Sequence, residues 1–120
     1  MCLFPPGLSC SSYKFNASNG GLAVDIGQST GHRITINNMT CTQEATSPPP
    51  ISHGTLASAV SVGIGDKSGL QSLRCYDKTG TLIPSDDIGD TIKVKLWVNY
   101  TEVDTTMTRT AIADVAGRYE

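Results

Sequence analysis

The alternating run over residues 91–100 constrains the fold more than any other part of the chain. Five apolar residues occupy one phase, Ile92, Val94, Leu96, Val98 and Tyr100, and Lys93, Lys95, Trp97 and Asn99 occupy the other. Successive side chains of a strand point to opposite faces, so this period of two predicts a strand with one apolar side. After a turn at residues 104–106, residues 107–119 are predicted to return as a second strand. An isolated hairpin is marginally stable, so the rest of the chain must cover its apolar face.

Shorter alternating runs and turn signals divide the rest of the chain into further strands. Asn19-Gly20, between residues 13–16 and 22–26, is a strong two-residue hairpin signal. Other strands are predicted over residues 32–43, 56–64, 70–76 and 82–83. About seven strands at this spacing are typical of a sandwich. The sequence therefore predicts one all-β domain over residues 1–120, an antiparallel β-sandwich of immunoglobulin-like or related topology with a long C-terminal hairpin.

The predicted strand over residues 32–43 contains a change of phase. Ile34 and Ile36 share one phase, whereas Met39 and Cys41 share the other. A β-bulge inserts one extra residue into a strand and so restores both pairs to the same face. We therefore predict a bulge at Asn37-Asn38.

Charge and length argue against several classes of protein. Charged residues make up 17% of the 120 residues, and the net charge is -2. The nine Lys and Arg residues are spread along the sequence without a basic run, which argues against nucleic-acid binding. Pro5, Pro6 and Gly7 interrupt the first apolar residues, so neither a signal peptide nor a membrane-spanning helix is predicted. Membrane contact is expected only through an absent upstream segment.

The four cysteines indicate an oxidising compartment. They allow three pairings, form no CxxC, and are not spaced from His32 and His53 as zinc ligands usually are. Two disulfides are therefore the preferred interpretation. We predict that Cys2 pairs with Cys10 around the proline loop. Cys41 and Cys75 are predicted to join strands that face each other across the sandwich.

Three sequons support an extracellular location. The tripeptides that begin at Asn16, Asn38 and Asn99 fit the acceptor pattern for N-glycosylation. Each match is weak alone, because a chain rich in Ser and Thr produces some by chance. Asn38 and Asn99 are predicted to lie on or near strands, and Asn16 close to a turn.

The only motif typical of a nucleophile does not fit its required setting. Residues 27–31, Gly-Gln-Ser-Thr-Gly, match the G-x-S-x-G elbow, in which the serine must sit on a turn that leads into a helix. Here Ser29 precedes a predicted strand, so a hairpin turn is the preferred interpretation. A hydrolase built on Ser29 would need His32 or His53 within hydrogen-bond reach.

Two further features are candidate ligand or interface sites. Asp86, Asp87 and Asp90 form an acidic loop that could ligate calcium, although their spacing fits no EF-hand and a solvated loop is the simpler interpretation. Trp97 points away from the apolar stripe of its strand. It either covers the second face of the sheet or offers a stacking platform for a sugar or a partner protein.

Three segments resemble a known class of surface protein. They are the cysteine-flanked residues 2–13, the strand over residues 34–42 that ends in Cys-Thr, and residues 95–102 with the return at residues 109–111. Together they resemble the β-rich ectodomains of archaeal type IV pilin-like proteins with a class III signal peptide. The resemblance implies self-association in a filament through a long N-terminal hydrophobic helix, which this chain lacks. It also implies a non-enzymatic role without a cofactor.

The expected function is therefore that of an extracellular structural domain, the soluble head of a pilin-like filament or cell-surface subunit. Glycans or surface proteins are its possible partners. The alternative is an extracellular carbohydrate- or protein-binding β-sandwich module. An exposed Trp97 beside a polar groove would favour that alternative.

Overall fold

A computed structural model describes residues 2–43, 59–85 and 87–120. The proline loop predicted over residues 45–52, His53 and Asp86 lie outside the described residues, as does the start of the strand predicted over residues 56–64. The described part of that strand is three residues long, Val60–Val62.

The described chain consists of strands and turns, which confirms the predicted all-β class. It contains nine strands: β1 (Cys2–Leu3), β2 (Leu8–Asn16), β3 (Gly21–Gln28), β4 (Ile34–Thr42), β5 (Val60–Val62), β6 (Lys67–Leu73), β7 (Cys75–Tyr76), β8 (Thr91–Glu102) and β9 (Thr108–Arg118). The two strands that were not predicted separately, β1 and β7, have two residues each. The predicted piece at Leu82-Ile83 is an isolated bridge between Leu82 and Tyr76.

The nine strands form two sheets. The larger has the order β1-β9-β8-β4-β5, and β7 pairs with the opposite end of β4. The smaller has the order β2-β3-β6. The predicted C-terminal hairpin of β8 and β9 is the longest pairing of the larger sheet. It is in continuous antiparallel register from Thr91 opposite Arg118 to Thr101 opposite Thr108. Constant-type immunoglobulin domains pack four strands on three. The structure has six strands in one sheet and three in the other, so it differs from that immunoglobulin arrangement and agrees with the broader prediction of a β-sandwich.

The predicted bulge in β4 is present. Ile36 pairs with Tyr100 and Asn38 pairs with Asn99, so the two residues Asn37 and Asn38 oppose one residue of β8. As a result Ile34, Ile36, Met39 and Cys41 are all buried. The extra residue, Asn37, lies on the exposed side.

The chain crosses between the sheets where one strand was predicted. Residues 70–76 are divided at Arg74 into β6, in the smaller sheet, and β7, in the larger. Consequently the prediction that the disulfide between Cys41 and Cys75 joins strands facing each other across the sandwich is wrong. The bond joins paired residues of neighbouring parallel strands, with a Cα–Cα distance of 4.6 Å. The phase of the two cysteines correctly placed both sulfurs inward, but phase alone does not distinguish a facing sheet from a neighbouring strand.

The second disulfide connects the two sheets. Cys2 of β1 is bonded to Cys10 of β2, which is the predicted pair. At the other end of β2 the C-terminus makes a similar connection, because the Glu120 amide donates to the Phe15 carbonyl and the Ala17 amide donates to the Glu120 carbonyl. The smaller sheet is therefore held to the larger at both ends of β2.

A single core lies between the sheets. The five apolar side chains of β8 that alternate in the sequence are all buried, and they belong to the same cluster as Leu22, Val24 and Ile26 of β3. Phe15 and Tyr119 close one end of the core, with ring centroids 6.1 Å apart in an edge-to-face arrangement. The strongest periodic signal of the sequence thus identifies the centre of the fold.

Candidate functional site

The outward phase of β8 carries Trp97, and the structure places this residue against its own sheet. Its cross-strand neighbours are Thr40 of β4 and Ile112 of β9. The side chain is half-buried, and its Nε1 atom is buried without a hydrogen-bond partner among the described residues. Because the indole N–H does not face solvent, the geometry favours Trp97 as cover for the outer face over a platform for sugar stacking.

Two of the sequons meet on the same outer face. Asn38 and Asn99 are directly opposite each other in β4 and β8, and both are half-buried. The bulged Asn37 bridges this region, since its Nδ2 donates to Asn99 Oδ1 over 3.0 Å and to Thr101 Oγ1 over 2.9 Å. Both asparagines therefore lie on strands, as predicted, in a hydrogen-bonded amide and hydroxyl surface.

Asn16 has a different environment. It ends β2 and is exposed at the start of the turn to β3. Its Oδ1 accepts hydrogen bonds from the Ser18 amide over 3.0 Å and from the Ser18 hydroxyl over 2.7 Å. This position beside a turn is the predicted one, and Asn16 is the most accessible of the three sequon asparagines.

The acidic loop precedes β8 at the same end of the molecule as Asn16. Asp87 and Asp90 are exposed, and the Asp90 amide donates to the Asp87 carbonyl over 3.1 Å. Within the described ranges, no group of three or more His, Cys, Asp or Glu side chains is arranged to hold a metal ion. Asp86, the third carboxylate of the predicted loop, lies outside those ranges.

The turn that contains Ser29 is organised by its neighbour Gln28. Gln28 is buried, and its Oε1 accepts hydrogen bonds from the Thr30 amide and hydroxyl. Its Nε2 lies 2.7 Å from the His32 carbonyl, 3.2 Å from that of Val62 and 2.8 Å from that of Gly63. The motif that matches a nucleophile elbow is therefore a strand-to-strand turn, held to the connection between β5 and β6 by one amide side chain.

Replacing Gln28 with leucine should lower the free energy of unfolding by about 2–3 kcal/mol. The substitution keeps the approximate volume but removes the hydrogen bonds of Gln28 to the His32, Val62 and Gly63 carbonyls and to Thr30, and each such bond contributes about 1 kcal/mol. Urea denaturation measures the change. Gln71→Leu is the matched control, because Gln71 is half-buried and donates only one long bond, 3.3 Å, to the Ser68 carbonyl. A similar loss in both variants would contradict this role of Gln28.

An ionic cluster joins this turn to the tip of the C-terminal hairpin. His32 Nδ1 lies 2.6 Å from Asp104 Oδ2, and His32 Nε2 lies 3.9 Å from Glu102 Oε2. Glu102 is buried and also receives Arg109 Nε at 3.3 Å and the Thr105 hydroxyl at 3.0 Å. The imidazole thus lies between two carboxylates, and Arg109 neutralises part of their charge.

These contacts shift the protonation equilibria of the cluster. The hydrogen bond to Asp104 raises the pKa of His32 above its ordinary 6.5, with smaller contributions from the charges of Asp104 and Glu102. The pKa of Asp104 is lowered chiefly by its hydrogen bond to His32. The Thr105 hydroxyl, followed by Arg109, lowers the pKa of Glu102. The cluster is therefore most favourable when His32 is protonated and both carboxylates are ionised.

Stability should therefore depend on pH through His32. A raised folded-state pKa means that the stabilisation is complete below pH 6.5 and is lost as pH rises through the folded pKa of His32. The lowered pKa values of Asp104 and Glu102 mean that their stabilisation is lost as pH falls below about 4. We expect the urea midpoint of the wild type to fall between pH 6 and pH 9, and the midpoint of His32→Gln to change less over that range. His53→Gln, which removes the other histidine, should keep the wild-type slope. Equal slopes in wild type and His32→Gln would contradict the assignment.

This cluster was not predictable from any short sequence motif. His32 was predicted to lie in a turn, and its partners are about seventy residues away in the chain, as the separation of 72 residues between His32 and Asp104 shows. One observation on the sequence was relevant, since the predicted hairpin places residues 102–109 at one tip. In the structure β4 pairs with β8 in antiparallel register, which brings the start of β4 to that tip. The register itself is not encoded by any short motif.

Comparison with known proteins leaves the fold and the contacts above as the basis for function. No family model, no curated protein and no solved structure matches this chain. Among the described residues, no helix has the length and apolar character that crossing a bilayer requires.

Proposed function

We propose that this chain is a non-enzymatic extracellular structural domain, the head of an archaeal pilin-like filament or cell-surface subunit. The two disulfides support an oxidising environment, since cytosolic proteins rarely keep such bonds. The family is suggested by the sequence likeness at residues 2–13, 34–42, 95–102 and 109–111. In this proposal the domain presents its surface to the exterior, and an upstream hydrophobic helix assembles copies of it.

The main support for the proposal is that two disulfides cross-link the strands of a small all-β domain. One bond holds β1 of the larger sheet to β2 of the smaller, and the other holds β4 to β7. Hydrogen bonds from Glu120 fix the end of the chain to β2. Such cross-linking suits a domain that remains folded outside the cell, where chaperones do not maintain it.

Expression of the full gene in an archaeal host tests this proposal. The protein should be recovered in the cell-surface fraction and in any filaments seen by electron microscopy, with both disulfides intact. A matched variant without the upstream segment should be absent from filaments. Retention of the full-length protein in the cytoplasm, or free thiols at Cys41 and Cys75, would contradict the proposal.

The non-enzymatic part of the proposal has its own test. The purified chain should not hydrolyse a panel of esters and glycosides above the background of a heat-denatured sample. Hydrolysis that disappears in Ser29→Ala, while the urea midpoint stays unchanged, would replace the structural proposal with a hydrolase.

A further inference from the structure

A surface groove lies beside the start of β8, because the neighbouring strand β4 is shorter and does not cover that part of β8. The last paired residue of β4, Thr42, is opposite Lys95, so no residue of β4 pairs with β8 between Thr91 and Val94. A cavity of about 550 Å³ lies there. It is lined by the first half of β8, by Gln43 just after β4, and by Lys78 of the turn after β7.

Three lysines line this groove, and one of them, Lys78, lies in a different part of the sequence from the other two. Lys93 and Lys95 point outward because their strand alternates and its apolar phase is buried. Lys78 arrives from the turn at residues 77–80. A neighbouring cavity of about 590 Å³ shares Thr91, Ile92 and Lys93 and adds Arg118 of β9. Four of the nine Lys and Arg residues are thus gathered in one region, which the sequence did not indicate.

The positive charge of this region exceeds the nearby negative charge within the described part of the chain. Lys95 forms an ion pair with Asp114, whose pKa is also lowered by the charge of Lys93. Asp77 is next to Lys78 in sequence, and its Oδ1 accepts from the amides of Thr79 and Thr81 and from the Thr79 hydroxyl. Among the described ion pairs, none includes Lys78, Lys93 or Arg118. Four cations thus outnumber the two carboxylates that accompany them, on a protein whose net charge is -2.

We propose that this groove binds an anionic polysaccharide. The partner must supply repeated negative charge, because the cations line both this cavity and its neighbour at Arg118. Thr91 and Gln43 add a hydroxyl and an amide, which suit the hydroxyl groups of a sugar chain. The site does not depend on filament assembly, and it supports the binding-module alternative for this domain.

The lining favours a polysaccharide over two other polyanions. An acidic peptide would need pockets for its alternate side chains, but the apolar groups at the groove, Ile92 and Val94, are themselves buried in the core. Single-stranded nucleic acid is usually held by aromatic side chains that stack on its bases, and no aromatic side chain among the described residues lines either cavity. Exposed lysines bind through charge, so affinity must fall as salt screens it.

The experiment compares wild type with two charge-matched variants. Lys78→Gln/Lys93→Gln removes two groove cations. Lys14→Gln/Lys67→Gln removes two exposed cations from β2 and β6 of the smaller sheet and changes the net charge equally. Binding to dextran sulfate, to polygalacturonate and to neutral dextran is measured by calorimetry at low and at physiological salt. Urea midpoints establish that all three proteins are equally folded.

The wild type should bind at least one of the two anionic polymers and not neutral dextran, and its affinity should fall as salt is added. The groove variant should bind about tenfold more weakly, as expected when two charge contacts are lost, and the control variant should stay within about twofold of wild type. Sulfated and carboxylated polymers separate the two sources of negative charge. Equal losses in both variants, or no binding to either polymer, would overturn the proposal. Tighter binding of an oligonucleotide of equal charge would also overturn it, in favour of a nucleic acid.

Discussion

Replacing Cys41 and Cys75 together with alanine is expected to lower the free energy of unfolding by about 4 kcal/mol. The bond closes a loop with a sequence separation of 34 residues, and the loop-entropy relation gives a cost of about this size for its loss. Both cysteines are fully buried and belong to the core cluster. The short strand β7 also depends on this bond, because it pairs with β4 over just two positions. Small domains have total stabilities of about 5–15 kcal/mol, so this loss is a large fraction of the whole.

Urea denaturation of the oxidised proteins measures this loss. The matched control is Cys2→Ala/Cys10→Ala, which opens a loop with a sequence separation of 8 residues. The same relation gives a smaller cost for it, about 2.5 kcal/mol. Equal losses from the two double variants would contradict the loop-length argument. A loss in the control alone would instead show that the connection between β1 and β2 stabilises the sandwich more than β7 does.

The sequence predicts the centre of this fold well because burial imposes a strict pattern there. Ile92 to Tyr100 alternate without interruption, and each residue of the apolar phase is buried. The bulge at Asn37 was predictable for the same reason, since two apolar pairs in opposite phases can both reach the core only if one residue is added between them. In both cases a local pattern has a single geometric solution.

Features that depend on how strands associate were not predictable in the same way. The division of residues 70–76 at Arg74 sends Leu73 into the core from one sheet and Cys75 from the other, and both keep the inward phase of a single strand. The sequence pattern is identical for a strand that continues and for one that changes sheet. The Cys41–Cys75 bond was therefore assigned to the correct residues but to the wrong geometry.

The grouping of charged side chains was also not predictable, because it depends on how strands associate. Lys93 and Lys95 share one face of β8, but Lys78 and Arg118 lie in other elements, and a sequence without a basic run offered no reason to group all four. Their proximity follows from β4 ending at Thr42 and from the turn after β7 lying beside the start of β8. Likewise, His32 meets Asp104 because β4 pairs with β8 along nearly its full length. Long-range register, which no short motif specifies, creates both sites.

Replacing Phe15 with alanine is expected to lower the free energy of unfolding by about 3–5 kcal/mol, the usual range for a buried phenylalanine. Phe15 is 1% exposed and contacts Tyr13 and Tyr119 edge to face, with centroids 6.2 Å and 6.1 Å away. It stands at the point where β2 of the smaller sheet meets the C-terminus. Phe4→Ala is the matched control, because Phe4 is only partly buried at the rim of the core, and it should cost less than half as much.

Gly117 offers a sharper test of the same contact. A Cβ atom built at Gly117 would lie 3.2 Å and 3.3 Å from two atoms of the Phe15 ring and 3.4 Å from the ring of Tyr13. Gly117→Ala should therefore destabilise the wild type by about 1–3 kcal/mol, the usual cost of overpacking. In the Phe15→Leu background the smaller side chain leaves space, and the same substitution should cost less. A double-mutant cycle of these two changes, followed by urea denaturation, measures the coupling between them. Additive losses would mean that Phe15 does not pack on Gly117.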